Sequence, residues 1–225
     1  MAQTARQLII FDCDGVLVDS EPISVDVLVD ALGAAGVSID SDEAYRRFLG
    51  RSLGAVIETA RDEFGLEIDE AFLLKLRTDL YARFRRDLQP IPGVATALDD
   101  LQTKGFSWCV ASSSQRERIE LSLTVTGLID RFVPNIFSAS MVKHGKPAPD
   151  LFLYAAGQMQ RDPKDCIVIE DSPAGIEAAQ AAGMTVFAFT GGSHAGTAGH
   201  RDAVTRLKPD AVFDAMAELL HLIAK

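Results

Sequence analysis

Leu8-Ile9-Ile10-Phe11 runs directly into Asp12-Cys13-Asp14-Gly15-Val16-Leu17-Val18-Asp19-Ser20. Four apolar residues are too few for a helix, and acidic residues end the run. A short segment that is apolar at every position is the pattern of a strand buried on both faces. Similar runs recur at Phe106–Ala111, Cys166–Ile169, Thr185–Phe189 and Ala211–Phe213. Helical patterns separate them. Val94, Ala97, Leu98 and Leu101 share one face and are followed by Gly105, and the small-residue stretch Ala174–Ala182 is closed by Gly183. Strands alternating with helices predict an α/β domain, a parallel sheet covered on both sides in a three-layer Rossmann-like arrangement.

One segment breaks the alternation. From Ser20 to about Arg86 there is no strand-like run. Pro22 suits a first helical turn, and Ile23, Val27, Leu28, Ala31 and Leu32 follow on one face. Leu53–Phe64 and Asp69–Arg86 read as further helices, the second with a stripe of Phe72, Leu73, Leu76, Leu80 and Phe84. Pro90-Ile91-Pro92-Gly93 ends the segment. The expected organisation is a core of residues 1–19 and 90–225 interrupted by a small helical domain over residues 20–89. A length of 225 residues, about one and a half times a typical domain, accommodates both.

Composition narrows the function classes. Hydrophobic residues at 48% and charged residues at 24% describe an ordinary globular chain. Lys and Arg number 22 against 32 Asp and Glu, a formal charge of −10. Such a surface repels nucleic-acid backbones, so no nucleic-acid partner is expected, and an anionic substrate needs local cations. No apolar run approaches the roughly 20 residues of a membrane span, and none near the amino terminus suits a secretory signal. Cys13, Cys109 and Cys166 are an odd number, expected as reduced thiols in a cytoplasmic protein. No obligate protein partner is implied.

The chemistry concentrates where strands end. If the first strand continued through Asp14, alternation would send Asp12 and Asp14 to one side and Cys13 to the other. The run at Cys166–Ile169 ends in Glu170-Asp171, that at Phe106–Ala111 ends in Ser112-Ser113-Ser114, and Gly145-Lys146-Pro147-Ala148-Pro149 precedes the former. Ligands of open α/β sheets bind beyond the carboxyl ends of the strands. Two carboxylates about 4 Å apart repel by roughly 4 kcal/mol at an effective dielectric near 20, so converging ones must protonate or share a cation. Oxygen donors alone favour a hard ion such as Mg²⁺. Lys146 supplies a fixed positive charge, and hydroxyl and amide groups at Ser112–Ser114 offer anion-binding donors at a helix start. This combination suits phosphoryl transfer to an aspartate. None of the three cysteines has an arginine six residues on, as a cysteine-dependent phosphatase requires. The loop Gly191–Thr197 lacks the lysine of a phosphate loop. His144, His194 and His200 are expected as solvated side chains.

In these motifs the chain resembles the haloacid dehalogenase superfamily of phosphohydrolases, on the branch of phosphoglycolate phosphatase and β-phosphoglucomutase. The motifs are Asp12-Cys13-Asp14-Gly15-Val16-Leu17-Val18-Asp19-Ser20-Glu21, Ser112, Lys146 within Gly-Lys-Pro-Ala-Pro-Asp, and Glu170-Asp171-Ser172-Pro173-Ala174-Gly175. The resemblance implies that Asp12 is a nucleophile forming an aspartyl-phosphate and that Asp14 is a general acid and then base. It implies Mg²⁺ held by Asp12, the Asp14 backbone carbonyl and Asp171, with Glu170 acting through a water. Ser112 and Lys146 would hold the phosphoryl oxygens, Ser113, Ser114 and Arg51 would meet the substrate, and the helical insertion would be a movable cap. An aspartate at position 14 favours an oxygen leaving group over a halide. Ser24 and Leu53 stand where the family's mutases carry a histidine and a phosphate-binding arginine. Hydrolysis of a small sugar or sugar-acid phosphate is therefore the leading expectation, a phosphosugar mutase the alternative, and an inactive metabolite-binding protein a remote third.

Overall fold

A computed structural model describes residues 7–48, 53–196 and 199–224. The chain divides into two compact units, one running to Asp19 and resuming at Gln89, the other comprising Ser20–Leu88.

Among the described residues the first unit holds six strands: β1 (Leu8–Phe11), β2 (Ser107–Ser112), β3 (Ile136–Ser138), β4 (Cys166–Glu170), β5 (Thr185–Phe189) and β6 (Ala211–Phe213). All pair in parallel, in the order β3-β2-β1-β4-β5-β6. β1 lies between β2 and β4, with Leu8 level with Ser107 on one side and Cys166 on the other. The order reverses here, so the loops leaving β1, β2 and β4 surround the crevice that this topology opens at its carboxyl edge. Every residue of β1 and β4 is buried, which explains their continuous apolar runs.

Two details differ from the sequence reading. Phe106 is not in a strand. Its N–H bonds back to Leu101 O beyond Gly105, closing the preceding helix, so β2 runs one residue later and ends on Ser112 itself. The edge strand β3 was not anticipated, because three residues behind Pro134 and Asn135 carry too little pattern to read.

Among the described residues the second unit carries helices and no strand: α1 (Glu21–Ala34), α2 (Ser41–Phe48), α3 (Leu53–Phe64) and α4 (Glu70–Asp87). Asp69 precedes α4 as its cap and accepts the Phe72 N–H at 2.7 Å. Val25, Leu28 and Leu32 pack with Ile39, Ala44, Phe48 and Val56 in a core of the unit's own. Val25 is buried where Ala31 was expected, and α2, with only Ala44 and Phe48 as its apolar signal, was not anticipated.

Around the sheet the first unit adds α5 (Val94–Lys104), α6 (Arg116–Val125), α7 (Ile129–Phe132), α8 (Asp150–Gln158), α9 (Pro173–Ala181), α10 (His200–Arg206) and α11 (Leu219–Ile223). Leu151, Phe152, Ala155 and Ala156 of α8 and Ile176, Ala178 and Ala179 of α9 cover strand residues Leu8, Ile10, Cys109, Val168 and Val186. Among the described residues no helix is long and apolar enough to cross a membrane.

Candidate active site

β1 stops at Phe11. Asp12 still donates its N–H to Ile169 O at 3.0 Å, but the chain then folds into a tight turn closed by Gly15 N–H to Val18 O and Leu17 N–H to Cys13 O. The turn, rather than strand alternation, places Asp12 and Asp14. Gly15 has φ +77°, and a Cβ there would meet Asp171 Oδ2 at 2.2 Å. Only glycine lets the turn of β1 approach the carboxylate beyond β4 this closely.

Lys146 connects the two strand ends. Its Nζ donates to Asp12 Oδ1 at 2.6 Å and to Glu170 Oε1 at 2.7 Å, and it stands 4.8 Å from the ring centre of Phe152. All three charged side chains are buried. Glu170 is fully committed, since its Oε2 accepts both the N–H and the hydroxyl of Ser172. Ser172 in turn caps α9 by accepting from Gly175 N–H. Burial pushes the Asp12 carboxyl well above its ordinary range; Lys146 pulls it down, and Glu170, Asp171 and Asp14 push it further up. Burial alone would lower the Lys146 ammonium, but Asp12 and Glu170 hold it well above its usual value. Asp12, Glu170 and Asp171 each place a carboxylate oxygen within 4.8 Å of the others.

Asp14 is held from the β2 side. Its Oδ2 accepts the Ser114 hydroxyl at 2.7 Å, and its Oδ1 pairs with Arg118 at 2.9 Å. Ser112 is buried and its Oγ accepts Ser114 N–H at 3.1 Å, shaping the turn into α6. Ser113 is exposed on that turn. Asp12, Asp14, Ser112, Ser114, Lys146, Glu170 and Asp171 therefore gather at one sheet edge, as expected, although Ser114 there supports Asp14. Arg51 lies outside the described residues.

Two residues were missed. Arg118 sits in the first turn of α6, where an arginine reads as an ordinary solvated residue, and only the fold shows that this turn faces Asp14. His194 was expected in solvent and is instead 1% exposed, its Nε2 2.8 Å from Asp171 Oδ2. Gly192 of its own loop and Gly15 of the first turn leave the space, since a Cβ on either would meet the ring. His144 is exposed beside Asp150, as expected. Cys13, Cys109 and Cys166 are free and buried, and burial raises each thiol, that of Cys166 to about 11, so none is a ready nucleophile.

The family model of haloacid dehalogenase-like hydrolases matches residues 7–183. A 6-phosphogluconate phosphatase of Escherichia coli is 29% identical over 189 residues, 84% of this chain and 84% of that one. A conserved haloacid dehalogenase-like protein of unknown function from Agrobacterium tumefaciens superposes with a TM-score of 0.85 at 38% identity, covering 98% of each chain. A hydrolase of the same family from Deinococcus radiodurans, solved with bound phosphate and sodium, superposes with a TM-score of 0.78 at 34% identity, covering 95% of this chain and 93% of that one.

Proposed function

This chain belongs to the haloacid dehalogenase-like hydrolases and is a phosphatase, and on that premise we propose that it is a Mg²⁺-dependent phosphomonoesterase of small sugar or sugar-acid phosphates. The observation that carries the reading is the charge balance beyond β1. Among the described residues four carboxylates, Asp12, Asp14, Glu170 and Asp171, face two cations, Lys146 and Arg118. Fully ionised, that group is short of two positive charges, the charge of one divalent cation. The group Asp12, Glu170 and Asp171 offers carboxylate oxygens alone, which fits a hard ion, while Asp171 also faces the nitrogen of His194. Asp12, Asp171 and the Asp14 backbone carbonyl would hold it, while Glu170, its oxygens already engaged, adds charge from behind Lys146. Bound Mg²⁺ would neutralise the carboxylates and polarise the phosphoryl oxygens.

The remaining chemistry belongs to the chain's own residues. An Asp12 oxygen attacks phosphorus, the bond to the leaving oxygen breaks, and Asp14, which takes up a proton from solvent as the anionic substrate enters, gives that oxygen the proton. Asp14, now a carboxylate, then takes a proton from water as the water attacks phosphorus, the bond to Asp12 breaks, and inorganic phosphate leaves. Lys146 and Ser112 steady the phosphoryl oxygens as negative charge develops. Ser114 and Arg118 fix the Asp14 carboxyl group. The helical unit Ser20–Leu88 would serve as the cap that selects the leaving group. The named activity of the Escherichia coli relative and the phosphate in the Deinococcus radiodurans structure support this substrate class.

Assay of the protein on sugar and sugar-acid phosphates, alongside p-nitrophenyl phosphate, tests the reading. Mg²⁺-dependent release of phosphate is expected; no turnover of any ester would overturn it. Conversion of β-glucose 1-phosphate to the 6-phosphate, without phosphate release, would replace it with a mutase. In the same assay Asp14→Asn should slow alkyl phosphates by about 10²–10⁴-fold, the range of general acid–base catalysis. With p-nitrophenyl phosphate, whose leaving group needs no proton, the first step should persist and appear as a burst of p-nitrophenolate. Equal losses with no burst would contradict the acid role.

Mg²⁺ should also stabilise the fold in a pH-dependent way. The Asp12 carboxyl is raised in the folded protein, so its contribution to stability is full below the ordinary carboxylate value and is lost as pH rises through the raised one. A cation that binds the ionised form reverses this trend. At 100 times its Kd, Mg²⁺ should add about 2.7 kcal/mol at neutral pH. That corresponds to roughly 5–10 °C in Tm for a chain of this size. The gain should shrink as pH falls into the carboxylate range. Thermal melts with Mg²⁺ or EDTA at several pH values check this, and a shift independent of pH would contradict it.

A further inference from the structure

We propose that His194 is a positioning residue that holds the Asp171 carboxylate for the divalent cation and so sets the affinity of the site for that ion. The inference rests on the metal-dependent reading above and adds a residue to it. After β5 the chain crosses Gly191-Gly192-Ser193-His194, and Asp19 fastens this loop to the first turn by accepting from both the N–H and the hydroxyl of Ser193. His194 then turns inward. Its ring is buried, with Nε2 2.8 Å from Asp171 Oδ2, within ion-pair distance of that carboxylate.

The ring has little room to do anything else. A Cβ on Gly192 would come within 2.8 Å of His194 Cε1, and a Cβ on Gly15 would come equally close. The imidazole is thus wedged between the turn that carries Asp12 and Asp14 and a glycine of its own loop. His200, the first residue of α10, backs it edge-on with ring centres 4.8 Å apart. A residue placed only to fill this space would be served better by an apolar side chain, since a buried imidazole costs its hydration. What the imidazole adds is a fixed polar contact to one oxygen of a carboxylate whose strand neighbour, Glu170, is already fully engaged. Such contacts orient metal ligands before the ion arrives, and removing them weakens metal binding by about 10–100-fold.

Calorimetric titration of substrate-free protein with Mg²⁺ separates this role from a structural one. His194→Met removes the donor but keeps the volume, and its Mg²⁺ Kd should rise about 10–100-fold, while kcat at saturating Mg²⁺ stays within a few-fold of wild type. His194→Gln, whose amide nitrogen reaches the Nε2 position, should bind Mg²⁺ nearly as wild type does. A Met variant with wild-type affinity, or a Gln variant as weak as the Met one, would overturn the proposal. If the Met variant fails to fold, His194→Asn replaces it: its shorter amide cannot reach Asp171, so it should bind at least tenfold more weakly than His194→Gln, and equal affinities would overturn the proposal. Asp171, His194 and His200 also place ligand atoms within 4.8 Å of one another, so a Met variant that loses Zn²⁺ binding while keeping wild-type Mg²⁺ affinity would overturn the proposal too, making the two histidines direct ligands. The wild-type titration isolates the premise. No Mg²⁺ binding there removes the metal reading and this inference together, whereas normal wild-type binding with an indifferent Met variant removes this inference alone.

Discussion

Asp12→Asn is expected to lower kcat by about 10⁴-fold or more, the scale on which loss of a nucleophile is felt. Asparagine keeps the shape of the side chain and can still meet Lys146, but it carries no negative oxygen to attack phosphorus. The expected loss falls on kcat and not on folding, and thermal melts of the variant serve as the control. Lys146 would still balance Glu170, and the variant relieves the crowding of negative charge that pushes the Asp12 carboxyl upward. A variant that turns over within tenfold of wild type would contradict the role of Asp12, whatever happens to its stability.

Lys146→Met should have the largest effect on stability. Lys146 is the cation in contact with both Asp12 and Glu170, and all three side chains are buried. Removing one member of such a buried cluster costs about 3–5 kcal/mol, because the remaining charges stay desolvated without a partner. Without Mg²⁺ this should lower Tm by roughly 6–20 °C. Because Asp12 and Glu170 hold the ammonium above its ordinary value, its contribution is full below the usual lysine range and is lost only as pH climbs past it. The difference from wild type should therefore persist from neutral to mildly alkaline pH. It should narrow under acidic conditions, where the abandoned carboxylates can take up protons. A Tm within 2 °C of wild type at neutral pH would mean that the cluster is not held as described.

Much of the fold was legible because the strands that build the site's edge are apolar on both faces. Leu8–Phe11, Cys166–Ile169 and Thr185–Phe189 carry enough consecutive signal to be read locally, and the acidic residues that end the first two mark the site. The helical unit was legible from the absence of such runs between Ser20 and Arg86. What escaped were elements whose pattern is too short, β3 and α2, and side chains whose significance depends on distance in space. Arg118 lies 104 positions from Asp14, and on its helix it reads as one more surface arginine. His194 lies in a glycine-rich loop that usually means solvent. It is buried because a glycine of the first turn and another of its own loop leave the space. The pairing of Asp12 and Asp14 was also expected for a partly wrong reason, since a turn and not a continuing strand sets their positions.

The central claim is that Asp12 accepts a phosphoryl group beside a divalent cation. A crystal structure of the protein with Mg²⁺ and beryllofluoride, a mimic of the phosphorylated carboxylate, addresses it most directly. The expected result is beryllofluoride joined to an Asp12 oxygen and contacted by Lys146 and Ser112, with Mg²⁺ held by Asp12, the Asp14 carbonyl and Asp171. Electron density showing Asp12 unmodified, or the cation bound away from Asp171, would contradict it.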